Sequence, residues 1–449
     1  MVLSDLHLGE KDSLFTPRQN EDYAVIRAFS DALMDLVRQF TQENLPALLL
    51  NGDILGLSFS SYKESLNGFA AFVDAFTNQN KICDKVIFIS GNHDHHIWNL
   101  AKEEHFLAAL KQSKSREVPD LQHITPATYD QGFNSDFFQA FMQSGATSPT
   151  EFKIFYPNFL LPPNKAGEPA ILFHHGHFAE KAYYFISKAM QAFYPSLHDP
   201  GNLEELESEN GDYIDYIFSG LGRSGKAGNY FEKLMATMGS QEKLEEHVQE
   251  LSENLAHAID FPYLPFHWME KVLASTLLRK ISTQVRFERY RGQVACSDET
   301  LKGLMHYLDA YCSDLISSNK AAGHETVFIW GHTHKPFEKI TKTSSLGSIK
   351  VLNSGGWVIP STQMSLIGGS VILINQQNEA VSLRIFNDGE DGGTMQFKIL
   401  LPDGTSETPF TRRIMQCLYG ENNTLLPVWE KFKSLLSDEI KHRRKSNGE

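Results

Sequence analysis

Val86-Ile87-Phe88-Ile89-Ser90-Gly91-Asn92-His93-Asp94 is the stretch that decides the fold. Four apolar residues in succession, stopped by a turn-forming Ser-Gly-Asn, read as a strand covered on both faces. Polar residues at the C-terminal end of such a strand sit where open sheets place ligand chemistry. Outward in both directions the arrangement recurs. Leu48-Leu49-Leu50 leads to Gly52-Asp53, and Ile171-Leu172-Phe173 leads to His174-His175-Gly176-His177. Val327-Phe328-Ile329-Trp330 leads to Gly331-His332-Thr333-His334. Ser4-Asp5-Leu6-His7 completes the set, but only Met1-Val2-Leu3 precede it. That is short of the about five or six residues of an ordinary strand, which points to further chain upstream of Met1.

Between the strands the apolar period changes. Over 22–40, Val25, Ile26, Phe29, Leu33, Leu36, Val37 and Phe40 recur at helical spacing, and Leu66, Phe69, Phe72, Val73 and Phe76 do so ahead of Val86. Strand and helix in alternation imply a layered α/β domain with a partly parallel sheet. The stretch 178–323 reads as a mostly helical insertion, with helical runs at 182–193, 213–238, 242–259 and 301–317. Because it leaves and rejoins the core between two motifs, it is expected to cap the site. Strands are expected at 349–352, 370–374, 381–386 and 395–400, antiparallel at the edge of the core sheet. The amphipathic helix 425–440 then leads into Lys441-His442-Arg443-Arg444-Lys445, expected as a disordered tail. The expected division is thus core 1–177, cap 178–323, core 324–400 and C-terminal extension 401–449.

The 449 residues, 41% hydrophobic and 21% charged, suit a soluble globular protein. A net charge of -14 argues against broad, sequence-independent binding to nucleic acid. Cys83, Cys296, Cys312 and Cys417 lack paired spacing, which fits a reducing compartment. No signal-peptide pattern and no apolar run of membrane-spanning length occurs. A cytoplasmic protein is expected, with peripheral contact to the inner face of a membrane left open and the oligomeric state unspecified.

The five motifs supply what two divalent ions held about 3.5–4 Å apart require. Asp53 suits a bridging carboxylate. Asp5 and His7 are two apart, so in an extended segment both project to one side and grip one ion. Asn92 offers a neutral oxygen, and His175, His332 and His334 offer nitrogens. This mixed set favours Mn²⁺, Fe or Zn²⁺ over Ca²⁺ or Mg²⁺. Such a pair of ions would acidify a bound water for attack on phosphorus. His93, beside Asn92, would then protonate the departing oxygen.

In these residues the chain resembles the calcineurin-like metallophosphoesterases, whose pattern runs D-x-H, GD, GNH-D/E, a later H, and GHxH. The resemblance covers 1–177 and 324–386. It implies a four-layer α/β/β/α sandwich with the site at the strand ends. It also implies one ion at Asp5, His7 and His334, a second at Asn92, His175 and His332, Asp53 between them, and His93 as the acid. His174, His175 and His177 all offer candidates for the fourth motif. The position before the glycine favours His175, while Asp94 and His177 are expected just behind the ligands, as alternative ligands or, for His177, on phosphate. Ser4-Asp5-Leu6-His7-Leu8-Gly9 is similar to the branch containing UDP-diacylglucosamine hydrolase, a shorter protein with a smaller lid.

In the insertion, Arg286, Arg289 and Arg291 beside Phe287 and Tyr290 form either a phosphate clamp or, as ion-paired faces more often do, a solvated helix face. The apolar stretch 261–278 suits a core helix more readily than an acyl-chain groove, and 220–228 suits a hinge. The expected activity is hydrolysis of a phosphomonoester, phosphodiester or pyrophosphate on a small or lipid-linked substrate. The alternatives are nuclease action or a non-catalytic scaffold that keeps its metals.

Overall fold

The computed structural model describes residues 1–18, 22–41, 43–113, 118–128, 131–143, 150–220, 295–318, 325–359, 366–387, 396–400, 408–420 and 424–446. The runs 242–259 and 261–278, most of 220–228 and the three arginines Arg286, Arg289 and Arg291 lie outside them.

Two sheets face one another. The first contains β1 (Val2–Leu3), β2 (Leu48–Asn51), β3 (Lys85–Ile89) and β4 (Glu151–Phe155), all parallel. The second contains β5 (Asn158–Leu161), β6 (Ala170–His174), β7 (Thr326–Trp330), β8 (Phe337–Thr343) and β9 (Gly347–Asn353). Its strand order is β5-β6-β7-β9-β8, with β6, β7 and β9 parallel. Three further strands, β10 (Gly368–Ile374), β11 (Ala380–Asn387) and β12 (Gln396–Leu400), extend the first sheet antiparallel beyond β1. Its order is therefore β12-β11-β10-β1-β2-β3-β4, and the two-residue β1 lies between β2 and β10.

The apolar runs are continuous because each strand is covered on both faces. Leu49, Ile87 and Ile89 point between the sheets, where they meet Ile171, Phe173, Val327 and Ile329 from the other side. Their neighbours Leu48, Leu50, Val86 and Phe88 turn outward under the helices α1 (Ala24–Phe40), α2 (Tyr62–Val73), α3 (His95–Gln112) and α4 (Asp136–Gln143). On the second sheet, Leu172, Phe328 and Trp330 turn outward under the helices of the insertion. The layers are thus helix, sheet, sheet, helix, as a sandwich with period-two side chains requires. At the start of α2 a capping box between Ser61 and Glu64 satisfies the first free N–H groups.

Two expectations about strands and helices need correction. The stretch 349–352 belongs to β9 of the second sheet, parallel to β7, and β8 was not anticipated. Strand periodicity records which faces are buried and carries no label for the sheet a strand joins. The expected helix at 182–193 is met by α5 (Phe185–Phe193). The next helix begins earlier than 213, with α6 (Leu203–Ile214) capped by Asn202 and continued through Asp215–Gly220. Residues 221–238 of the expected 213–238 lie outside the described residues. The expected helix at 301–317 is met by Asp298–Tyr307 and Ser313–Ser318, joined through Leu308–Cys312.

The basic run is no disordered tail, because it is the last turn and a half of the helix Pro427–Ser446. Arg443 is 7% exposed, donates to the Thr16 carbonyl and lies 3.4 Å from Glu439. Trp429, Phe432, Leu436 and Ile440 of the same helix are buried with α1 in the core under the first sheet. That apolar face is spent inside the fold. No described helix is long and apolar enough to cross a membrane.

Candidate metal centre

The site forms where the strands of both sheets end. Beyond those ends the chain reverses sharply, and Asp5, His7, Asp53, His332 and His334 all take left-handed backbone, with φ between 47° and 71°. The extended geometry expected for Asp5 and His7 is therefore wrong. β1 stops at Leu3, and the two side chains share a side because both residues turn left-handed (φ 52° and 47°) while Leu6 between them is buried in the core. Such backbone is uncommon outside glycine and concentrates at functional sites.

The motif glycines serve sterically. A β-carbon at Gly91 would collide with the Asp53 carboxylate, at Gly331 with that of Asp5, and at Gly52 with the His175 ring. Each motif is cut back where another motif's side chain passes.

The resulting cluster is buried. Asp5, His7 and His334 bring their ligand atoms within 4.8 Å of one another, and Asp53, His175 and His332 do the same. Asp53 reaches both groups: its Oδ2 is 3.1 Å from His175 Nε2 and 3.8 Å from His7 Nε2. Asn92 joins the second group, with Oδ1 3.2 Å from His175 Nε2. His93 makes a third group with His7 and Asp53, and its backbone N–H donates to Asp53 Oδ1 at 2.7 Å.

The outer nitrogens of three rings are held by fixed acceptors. His7 Nδ1 lies 2.9 Å from Glu10, His175 Nδ1 lies 3.1 Å from the Asn51 carbonyl, and His332 Nε2 lies 3.0 Å from Glu180. In a neutral ring, a nitrogen that donates to such an acceptor leaves its partner nitrogen as a lone pair, the form a metal takes. Those lone pairs converge. His7 Nε2 and His334 Nε2 are 3.0 Å apart, His332 Nδ1 has no hydrogen-bond partner, and Asp53 Oδ2 accepts no hydrogen bond of good geometry. A buried arrangement of facing lone pairs and carboxylate oxygens is satisfied by cations, so the donor set fits divalent metal ions.

Electrostatics follow from the crowding. Burial works to raise Asp5 and Asp53, but facing histidines more than offset it and hold both carboxyls below their ordinary range. Burial opposes a charge on His175, yet the Asp53 carboxylate carries that ring up to about 9. Burial dominates at His93, which is lowered. Burial and the nearby Asp53 push Asp94 up to about 7.

Asp94 is a brace rather than part of the cluster. Its oxygens accept the backbone N–H groups of Gly91, Ile54 and Leu55 at 2.6, 2.7 and 3.2 Å, tying two motif turns together. His177 is fully buried with neither nitrogen bonded, and its ring centroid is 6.0 Å from that of His175. His174 turns away from the cluster to accept the Gly176 N–H at 2.8 Å. Two carboxylates escaped the sequence reading. Glu10 stands three residues after His7, a spacing that was visible, whereas Glu180 comes from the insertion and carries no signal.

Residues 1–220 match the family model for calcineurin-like phosphoesterases. The chain carries a calcineurin-like phosphoesterase domain. It is accordingly a hydrolase that acts on phosphoric ester bonds, and the buried His and Asp groups fit the metal dependence of that family. The match ends before Gly331-His332-Thr333-His334, which the pairing of β7 with β6 returns to the site. No curated protein matches the chain.

Proposed function

We propose that the chain hydrolyses a phosphomonoester, phosphodiester or pyrophosphate of a small or lipid-linked molecule at two divalent ions, Mn²⁺ foremost, with Fe or Zn²⁺ as alternatives. The observation that carries this is the convergence of Asp5, His7 and His334 on one side of Asp53, and of Asn92, His175 and His332 on the other. Asp5, His7 and His334 would hold one ion, Asn92, His175 and His332 the second, with Asp53 between. Ions bound there supply positive charge for the phosphoryl oxygens and acidify water.

The protein's own residues do the rest. His93, tied to Asp53 through its backbone N–H, would pass a proton to the departing oxygen. Described residues of the insertion border the site and support this reading: Glu180 takes His332, Tyr183 packs edge-on against the same ring, and Ser58 donates to the Phe218 carbonyl. Substrate choice is assigned to this cap, 178–323. The net charge of -14 supports a small phosphorylated substrate over a nucleic-acid strand.

Aryl phosphate mono- and diesters with added Mn²⁺ test the reading. Wild-type protein is expected to retain bound metal and hydrolyse them, and D53N to lose both. H93A is expected to fall about 10²- to 10⁴-fold on esters of weakly acidic alcohols. Equal rates in wild type and D53N, or a metal-loaded sample holding no transition ion, would point instead to a scaffold.

A further inference from the structure

Glu10 is a buried carboxylate beside the site that the ligand motifs leave unused; it is 7% exposed. One of its oxygens, Oε1, lies 2.9 Å from His7 Nδ1 and 3.2 Å from His93 Nδ1. An ionised carboxylate only accepts, so both Nδ1 atoms carry their protons. When the His7 ring is neutral it has one N–H, so its lone pair lies on Nε2, the nitrogen 3.8 Å from Asp53 Oδ2. On His93, any second proton must then reside on Nε2. The two rings meet edge-on, with centroids 4.7 Å apart and planes at 85°, so a shared acceptor also sets their mutual orientation. The fold reserves the space: a β-carbon at Gly56 would collide with the Glu10 side chain. The Glu10 N–H donates to the His7 carbonyl at 3.0 Å, closing the turn that brings the carboxylate back over its own motif.

We infer that Glu10 is a positioning residue for phosphoester hydrolysis. It fixes His7 in the tautomer that binds metal and holds the His93 ring by Nδ1, so that Nε2 is the nitrogen left to exchange a proton, linking the acid to the metal site through one oxygen. The inference rests on the hydrolase reading above and adds a residue outside the ligand motifs.

Two measurements on wild type, H93A, E10A and E10Q decide it. The first is hydrolysis of a series of aryl phosphodiesters whose leaving phenols rise in pKa, at saturating Mn²⁺. A departing group that needs no proton hides the loss of an acid, and a poor one exposes it. E10A is expected to follow H93A, losing little on the most acidic phenol and about 100-fold or more on phenol itself. E10Q keeps an oxygen acceptor in place and is expected to stay within about tenfold of wild type across the series. A loss in E10A that is equal for every leaving group would overturn the role, since damage to the metal site alone acts uniformly. The second is ring ¹⁵N NMR of the metal-free proteins, with H7A and H93A for assignment. His7 and His93 are expected as Nδ1–H tautomers in wild type and E10Q, and as mixtures in E10A. Nε2–H tautomers in wild type would overturn the inference. If wild type cleaves no ester in the series, the hydrolase reading fails while the NMR still decides the placement by Glu10.

Discussion

Glu207 shows how a single buried group can make stability depend on pH. It is 2% exposed, and neither carboxyl oxygen has a hydrogen-bond partner of good geometry. Burial lifts its pKa well above the carboxylate range, against the opposing pull of Tyr156 and Lys102. The folded chain therefore keeps a proton that the unfolded chain releases above about pH 4.3. Unfolding then releases that proton, so stability is fully present below that pH and declines as pH rises towards the folded pKa. E207Q copies the neutral acid. It should match wild type near pH 4 and exceed it at higher pH, by up to about 1.4 kcal/mol more for each pH unit. Urea unfolding at three pH values checks this; a gap that stays constant means Glu207 is ionised in the fold. At this scale the motif residues were legible because their types suit metals. Glu10 and Glu180 were not, since a carboxylate becomes a partner only through the ring it meets.

Among the elements, the C-terminal helix Pro427–Ser446 departs furthest from expectation. Its spacing announced an amphipathic helix, but spacing does not say what the apolar face meets. Phe432 stacks on Phe29 of α1 with centroids 5.0 Å apart, and both are buried. Arg18 adds an ion pair to Glu439 at 3.0 Å. F432A should therefore cost about 3–5 kcal/mol, as for other large aromatic deletions in cores. Denaturant unfolding measures it, and a change below about 1 kcal/mol would mean the helix is a detachable appendage. β9 carries a parallel lesson. Its apolar residues read like those of β10 and β11, and only the hydrogen bonds to β7 assign it to the second sheet.

For the whole molecule, the proposed ligands come from strands of both sheets and from both sides of the insertion. Asp5, Asp53 and Asn92 follow the first sheet, whereas His175, His332 and His334 follow the second. An ion held between them therefore clamps one sheet to the other and stabilises the native state by mass action. Mn²⁺ at about 100 times its dissociation constant should add about 2.7 kcal/mol to the stability. A thermal scan should show a rise in melting temperature with Mn²⁺, its reversal by chelator, and no rise in D53N. An equal shift in D53N would place the bound ion elsewhere.

The alternation of strands and helices and the residue types at the strand ends were determined by the sequence alone, while the four-layer order followed from the family those motifs resemble. Metal-binding residue types at strand ends, and apolar runs long enough to be covered on both faces, are local properties, and local physics records them. Which sheet β9 joins, what the last helix covers, and which carboxylates steady His7, His93 and His332 were decided only by tertiary structure. Those are contacts between residues far apart in the chain, or turned towards each other by left-handed backbone, and no spacing in the sequence encodes an approach in space.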